Sequence, residues 1–274
     1  MRLIDAVSDF RLAGAPNFRD VGGYRTVSGW RLRTRLLFRS EDLSRLTMDD
    51  LAVLRELPIR VVVDLRSESE CSRRPSRLPK EGVDVLRCGS QVVPGSAGRF
   101  SRLRDILAQD PSPAAAKRMM LETYALLPVQ CAPAIGRVIQ SLIGGGLPLL
   151  IHCTAGKDRT GFVCACLHGL LGVPEDQIYR DYLLSGEIFR SGAPERREAM
   201  LRATSEAIED TIGLSVSRDA LEVIGSVERD YLAAAFSRLH DEFGSIEHYA
   251  RSCGVDKYAI EQFRERLLEA PQSR

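Results

Sequence analysis

Leu149-Leu150-Ile151-His152-Cys153-Thr154-Ala155-Gly156-Lys157-Asp158-Arg159-Thr160-Gly161 is the stretch that decides how this chain of 274 residues folds. Leu147 to Ile151 reads as a central strand, a short apolar run suited to burial on both faces of a parallel sheet. Thr160 to Leu171 reads as an apolar helix that ends before Gly172. Between strand and helix, Cys153 and Arg159 are separated by five residues. A span of that length can wrap a tetrahedral oxyanion with successive backbone N–H groups turned inward, assisted by the helix N-terminus. Gly156 and Gly161 permit the tight path and close packing that such a cradle needs.

Working outward, further strands and helices alternate. Leu36 to Phe38 and the β-branched run Ile59 to Leu65 are strand candidates, and Val83 to Leu86 is a weaker one. Thr47 caps a helix through MDDLAVLREL that stops at Pro58. Ser112-Pro113 starts another through AAAKRMMLETYALL, and a separate helix is expected from Pro133 to Ile143. From Pro174 onward the pattern is helical, with breaks near Gly192, Gly213, Gly244 and Gly254. This order predicts an α/β domain with helices on both faces of a mostly parallel sheet and a helical C-terminal part.

Composition narrows the function classes. Apolar residues at 44% and charged residues at 27% are ordinary for a soluble globular protein. A net charge of +1 supplies no field that would favour nucleic acid. Seven cysteines, an odd number without paired spacing, predict a reducing compartment rather than a disulfide framework. The N-terminal MRLIDAVSDF is interrupted by Asp5 and Asp9 and does not read as a secretory signal. No apolar stretch in the reading approaches the roughly 20 residues of a transmembrane segment. The expected location is the cytoplasm, or outside the cell without a recognisable signal; oligomeric state is not legible.

The cysteine loop predicts chemistry. The amides of Thr154, Ala155, Gly156, Lys157, Asp158 and Arg159 would bind phosphate, and the Arg159 fork matches two phosphate oxygens in a way lysine cannot. Amide donors, a helix N-terminus and a guanidinium favour the thiolate form of a cysteine, so Cys153 is the expected nucleophile. Attack on phosphorus would form a phosphocysteine that is hydrolysed in a second step. Thr160 is expected to hydrogen-bond the sulfur, and His152 to order the loop rather than act as a base. No metal or cofactor is required. Three plainer readings compete. A cysteine after an apolar strand is usually a small core residue. A nucleotide-binding loop would need glycine at position 151 and Ser or Thr at 158, where Ile and Asp stand. Zinc held by Cys153, Cys164, Cys166 and His168 fails because Cys166 leaves the helix face shared by Cys164 and His168.

HCTAGKDRTG resembles the signature of the bacterial atypical tyrosine phosphatases. Asn17-Phe18-Arg19-Asp20-Val21-Gly22-Gly23, Leu37-Phe38-Arg39-Ser40, Val63-Asp64-Leu65-Arg66-Ser67, Asp181-Tyr182-Leu183 and the tail from Gly244 to Leu268 resemble family segments in the same order, over nearly the whole chain. The resemblance implies a cysteine-phosphatase-like three-layer fold. It would form a single domain over residues 1–274, with a four-stranded, mostly parallel sheet and a helical lid falling on 91–128. It also implies phosphorylated protein or phosphoinositide substrates: phosphotyrosine, phosphoserine, phosphothreonine or inositol lipids.

The leaving group needs a proton, so a carboxylic acid should face the loop. Asp64 ends a buried strand at the carboxyl edge of the sheet, where α/β sites form, and the family's proposed acid falls on it. The ordinary alternative is that Asp64 pairs with Arg66; Asp158, inside the loop, is the rival acid. Lys157 is expected beside the substrate phosphate, where it could meet a second phosphate of an inositol ring, against the alternative of a solvated loop lysine. Only four of the 38 basic residues are lysines, which makes filler less natural. Asn17, Arg19 and Asp20 read as a polar cluster bracing the outside of the loop, with Arg39 and Arg66 as companions. Arg73, Arg74 and Arg77 read as a solvated turn, and Met119, Met120 and Tyr124 as packing or a lid's underside.

Overall fold

The computed structural model describes residues 10–79, 81–89, 105–213 and 215–271. In chain order it forms β1 (Arg19–Asp20), β2 (Arg31–Leu32), β3 (Leu37–Ser40), α1 (Met48–Glu56), β4 (Val61–Asp64), α2 (Glu68–Arg73) and β5 (Asp84–Arg87). There follow α3 (Pro113–Ile143), β6 (Leu149–His152) and α4 (Asp158–Leu170). The remainder is helical: α5 (Glu175–Ser191), α6 (Pro194–Ile212), α7 (Arg218–Gly225), α8 (Arg229–Phe243), α9 (Ile246–Ser252) and α10 (Lys257–Leu267), closed by the short β7 (Leu268–Glu269).

The central sheet runs β1-β3-β6-β4-β5. Four strands are parallel, as expected, and the two-residue β1 adds a fifth, antiparallel to β3. Every residue of β3, β4 and β6 is buried, the consequence of helices on both faces; β5 is mostly exposed, which is why its sequence signal was weak. Ser40 and Asp64 both pair in register with His152. Three strand ends therefore arrive abreast at the carboxyl edge, with Cys153 the next residue of the middle strand.

The helix boundaries follow local chemistry. In α1 the Thr47 side chain accepts from the Asp50 amide and Asp50 accepts from the Thr47 amide, the reciprocal cap that satisfies two orphan donors. Asp50 also accepts from Ala13 and Gly14, which ties the N-terminal segment to the helix. In α4 every residue from Thr160 to His168 is buried, as in a core helix packed on all of its faces.

One expectation fails: residues 113–143 form a single 31-residue helix, not two. Pro128 and Pro133 each disfavour a helix interior by roughly 3 kcal/mol. Against this, Leu126, Leu127, Ile135, Val138, Ile139 and Leu142 are buried along it, each worth about 1.5–3 kcal/mol. Burial outweighs the prolines. This helix is also long and apolar enough to cross a membrane, contrary to the sequence reading, but half of its most apolar window is buried inside the fold, as in a core helix.

The chain divides into two compact units. One comprises Met1–Ser90, Cys131–Tyr182 and Phe243–Arg274 and holds the central sheet and the cysteine loop; the other comprises Gln91–Gln130 and Leu183–Glu242. The first has a core in which Phe18 stacks on Phe38, ring centroids 5.4 Å apart. The second has its own, including Leu107, Ala115, Leu201 and Leu221, with Met119 packed against it and Tyr124 tilted onto Tyr231. Met119 and Tyr124 are thus packing residues. The segment 91–128 read as a lid belongs to the second unit, and its residues 91–104 lie outside the described residues.

Candidate active site

β6 delivers Cys153 into the loop, and α4 begins at Asp158 with Lys157 as its N-cap. Cys153 is buried, and its Sγ receives the Gly156 N–H at 3.3 Å. Gly156 has φ +67°, and a Cβ there would lie 2.4 Å from the Ser40 carbonyl oxygen. Only glycine fits. A Cβ on Gly161 would lie 2.9 Å from the Tyr182 ring, so this glycine lets α4 approach α5 closely.

The loop is held from behind through its carbonyls. Asn17 Nδ2 donates to the carbonyls of Ala155 (3.0 Å) and Gly156 (3.2 Å), and Arg39 Nη2 donates to Gly156 at 2.8 Å. In a trans peptide the C=O and N–H point in opposite directions. Anchoring those two carbonyls therefore turns the amides of Gly156 and Lys157 the other way, and the Gly156 amide indeed meets the sulfur.

Asp181 of α5 organises the anchors. It accepts from Arg19 Nε at 3.1 Å and Arg39 Nη1 at 2.6 Å, while Arg19 Nη1 donates to Asn17 Oδ1 at 2.6 Å. Burial pushes the Asp181 carboxyl up, but the two guanidinium groups outweigh it and hold it far below the usual carboxylate range. Asp181 stood inside a segment quoted for resemblance, yet nothing local in the sequence marked its role. Asp20, grouped with the braces in the sequence reading, instead accepts from the amides of Gly22 and Arg35 and shapes a turn.

Arg159 has a partner the sequence reading missed. Its Nη1 and Nη2 each donate to Glu70 at 2.8 Å, Nη1 also donates to the Leu65 carbonyl at 3.1 Å, and Nη2 reaches Thr154 Oγ1 at 3.4 Å. Thr154 Oγ1 donates to Glu70 in turn. Burial pushes Glu70 up, but its bonds to Arg159, Thr154 and the Ser67 amide outweigh this and keep it well below the carboxylate range. A signal existed: Ser67-x-x-Glu70 is a capping box, which the structure forms at the start of α2.

Asp64 is buried and receives both the Nε (2.9 Å) and Nη2 (2.7 Å) of Arg66, its backbone amide (3.0 Å) and the Cys71 thiol (3.4 Å). Burial pushes Asp64 up and the Arg66 bonds outweigh it, so the carboxyl is held below its ordinary value. The pairing weighed as the ordinary alternative is present. Burial lowers His152, whose Nδ1 lies 3.2 Å from the Cys153 carbonyl, an oxygen that can only accept. Lys157 is buried, with Nζ 3.8 Å from Asp158 Oδ2, so it is not a solvated loop lysine. The expected bond from Thr160 to the sulfur is not formed: Thr160 Oγ1 is buried without a hydrogen-bond partner among the described residues, and the sulfur takes the Gly156 amide instead. All seven cysteines are free thiols.

The profile of the tyrosine phosphatase family matches residues 10–269. The chain is 34% identical over 281 residues to the triple specificity protein phosphatase PtpB of Mycobacterium tuberculosis, covering 94% of this chain and 98% of that protein. It is 33% identical to the putative tyrosine-protein phosphatase H16_A0669 of Cupriavidus necator, over 86% and 80% of the two chains, and 28% identical to a tyrosine-protein phosphatase of Nostoc commune, over 85% and 74%. The match runs through every strand and helix that borders Cys153, and the chain therefore belongs to the tyrosine phosphatase family of cysteine-dependent phosphoric monoester hydrolases.

Proposed function

We propose that Cys153 is the nucleophile of this phosphatase and that the amides from Thr154 to Arg159, with the Arg159 guanidinium, hold the transferred phosphoryl group. The observation that carries the reading is the Gly156 amide on Cys153 Sγ in a loop whose carbonyls are anchored on its other side. In the first step the sulfur attacks phosphorus, the P–O ester bond breaks, and the leaving oxygen takes a proton from a carboxylic acid. In the second, water attacks phosphorus, the S–P bond breaks, phosphate departs and a proton returns to the carboxylate. Preorganised amides and the guanidinium stabilise charge on the equatorial oxygens in both steps.

For the acid, geometry favours Asp158 over Asp64. Asp64 would have to release the Arg66 fork and be protonated against it, whereas Asp158 is partly exposed at the first position of α4. Phosphotyrosine, phosphoserine or phosphothreonine and phosphoinositide monoesters are the proposed substrates of this loop, with Lys157 as the proposed contact for a second phosphate. The names of the relatives, one of them a triple specificity phosphatase, support breadth. The test is hydrolysis of a chromogenic aryl phosphate with EDTA present. Wild type is expected to turn over and Cys153→Ser to lose roughly 10³-fold or more in kcat; activity in the serine variant, or its loss with EDTA in wild type, would overturn the reading.

A further inference from the structure

The guanidinium of Arg159 has two donor edges suited to a pair of oxygens: the end formed by Nη1 and Nη2, and the side formed by Nε and Nη2. Glu70 occupies the end edge with two bonds of 2.8 Å, and the Leu65 carbonyl takes the second Nη1 hydrogen at 3.1 Å. What remains is the side edge. Nε donates to nothing among the described residues, and the second Nη2 hydrogen makes only the 3.4 Å contact with Thr154 Oγ1, the longest of the four. The Thr154 hydroxyl is itself turned toward Glu70, to which it donates. Glu70 is in turn held by the Ser67 amide at 2.7 Å through the cap of α2. One carboxylate on a capped helix thus fixes the arginine end-on and orients the hydroxyl beside it.

Building on the reading of Arg159 as phosphate clamp, we infer that Glu70 is the positioning residue that presents the Nε–Nη2 edge of Arg159 to the substrate phosphate. On binding, the Nη2 hydrogen leaves Thr154 Oγ1 for a phosphate oxygen while the Glu70 bonds persist, so the clamp engages with little reorganisation. A purely electrostatic view makes the opposite forecast. There Glu70 merely cancels the arginine charge, and its removal would tighten anion binding.

The experiment compares steady-state turnover of an aryl phosphate, inhibition by inorganic vanadate, and thermal melting for wild type, Glu70→Gln, Glu70→Asp and Ser67→Ala. Glu70→Gln is expected to lower kcat by about 10–100-fold with KM within about threefold, and to weaken vanadate inhibition by a similar factor. Glu70→Asp keeps the charge but falls one methylene short, and is expected to lose kcat as well. Ser67→Ala removes one hydrogen bond of the cap but keeps the Ser67 amide on Glu70, and is expected to lower the melting temperature. In an Arg159→Ala background Glu70→Gln should cost nothing further, because Glu70 acts through that arginine. Wild-type kcat in Glu70→Gln or Glu70→Asp, tighter vanadate binding, or an additional loss in the Arg159→Ala background would overturn the inference. Undiminished activity of Cys153→Ser would instead overturn the nucleophile assignment, so the two failures are distinguishable.

Discussion

Asp64 and Asp158 differ in what each must give up to lend a proton. The Arg66 fork on Asp64 stabilises the anion, and a carboxyl held below its ordinary value is a poor donor near neutral pH. Asp158→Asn is therefore expected to lower kcat by about 10²-fold for alkyl phosphates and only severalfold for activated aryl phosphates, because a good leaving group departs without a proton. Asp64→Asn should act mainly on stability, since it leaves the buried Arg66 guanidinium without its carboxylate; a loss of about 3 kcal/mol in urea unfolding is expected. A leaving-group-dependent loss in Asp64→Asn, with none in Asp158→Asn, would reverse the assignment. On the role proposed for Lys157, which is buried beside Asp158, Lys157→Ala is expected to reduce phosphoinositide turnover about tenfold more than phosphotyrosine turnover in a parallel panel.

At the scale of elements, the loop works because β3, β6 and α4 meet where only glycine fits. Gly156→Ala would combine a left-handed backbone with a collision against the Ser40 carbonyl, and so move the loop as a whole. A kcat loss of about 10²-fold is expected. Gly161→Ala meets the Tyr182 ring, a side chain that can give, and should cost about 1–3 kcal/mol in unfolding experiments with a smaller effect on turnover. If Gly156→Ala is the milder of the two in kinetics, the loop is not seated as described. Several of these elements were legible beforehand. The Thr47 cap, the apolar run of β4 and the glycines after α5, α6, α8 and α9 are local signals, and the structure follows them. The continuity of α3 through two prolines was not legible, because the burial that overrides them comes from distant residues.

Across the whole molecule, Asp181 is the clearest case of long-range organisation. It lies 162 residues from Arg19 and 142 from Arg39, and their bonds reach the cysteine loop through Asn17 and Gly156. Removing it would leave two buried guanidinium groups uncompensated, so Asp181→Asn should cost about 3–5 kcal/mol at neutral pH. Because its carboxyl is held far below the ordinary value in the fold, this contribution is complete above the unfolded pKa of about 4 and is lost as pH falls below it. The stability gap between wild type and Asp181→Asn, measured by urea unfolding, should narrow from about pH 7 to about pH 3. A gap independent of pH would mean that the aspartate contributes by shape rather than charge.

From the sequence alone came the α/β fold and the proposed nucleophile and clamp, Cys153 and Arg159, five residues apart between a buried strand and an apolar helix. Those features are set by spacing, periodicity and caps, which act over a few residues and are therefore written locally. The tertiary structure decided which carboxylate each arginine receives: Glu70 for Arg159 across 89 residues, Asp181 for Arg19 and Arg39, and Asp64 for Arg66. The strength of a charge pair depends on how far burial removes both partners from water, and that burial exists only once the chain has closed around them.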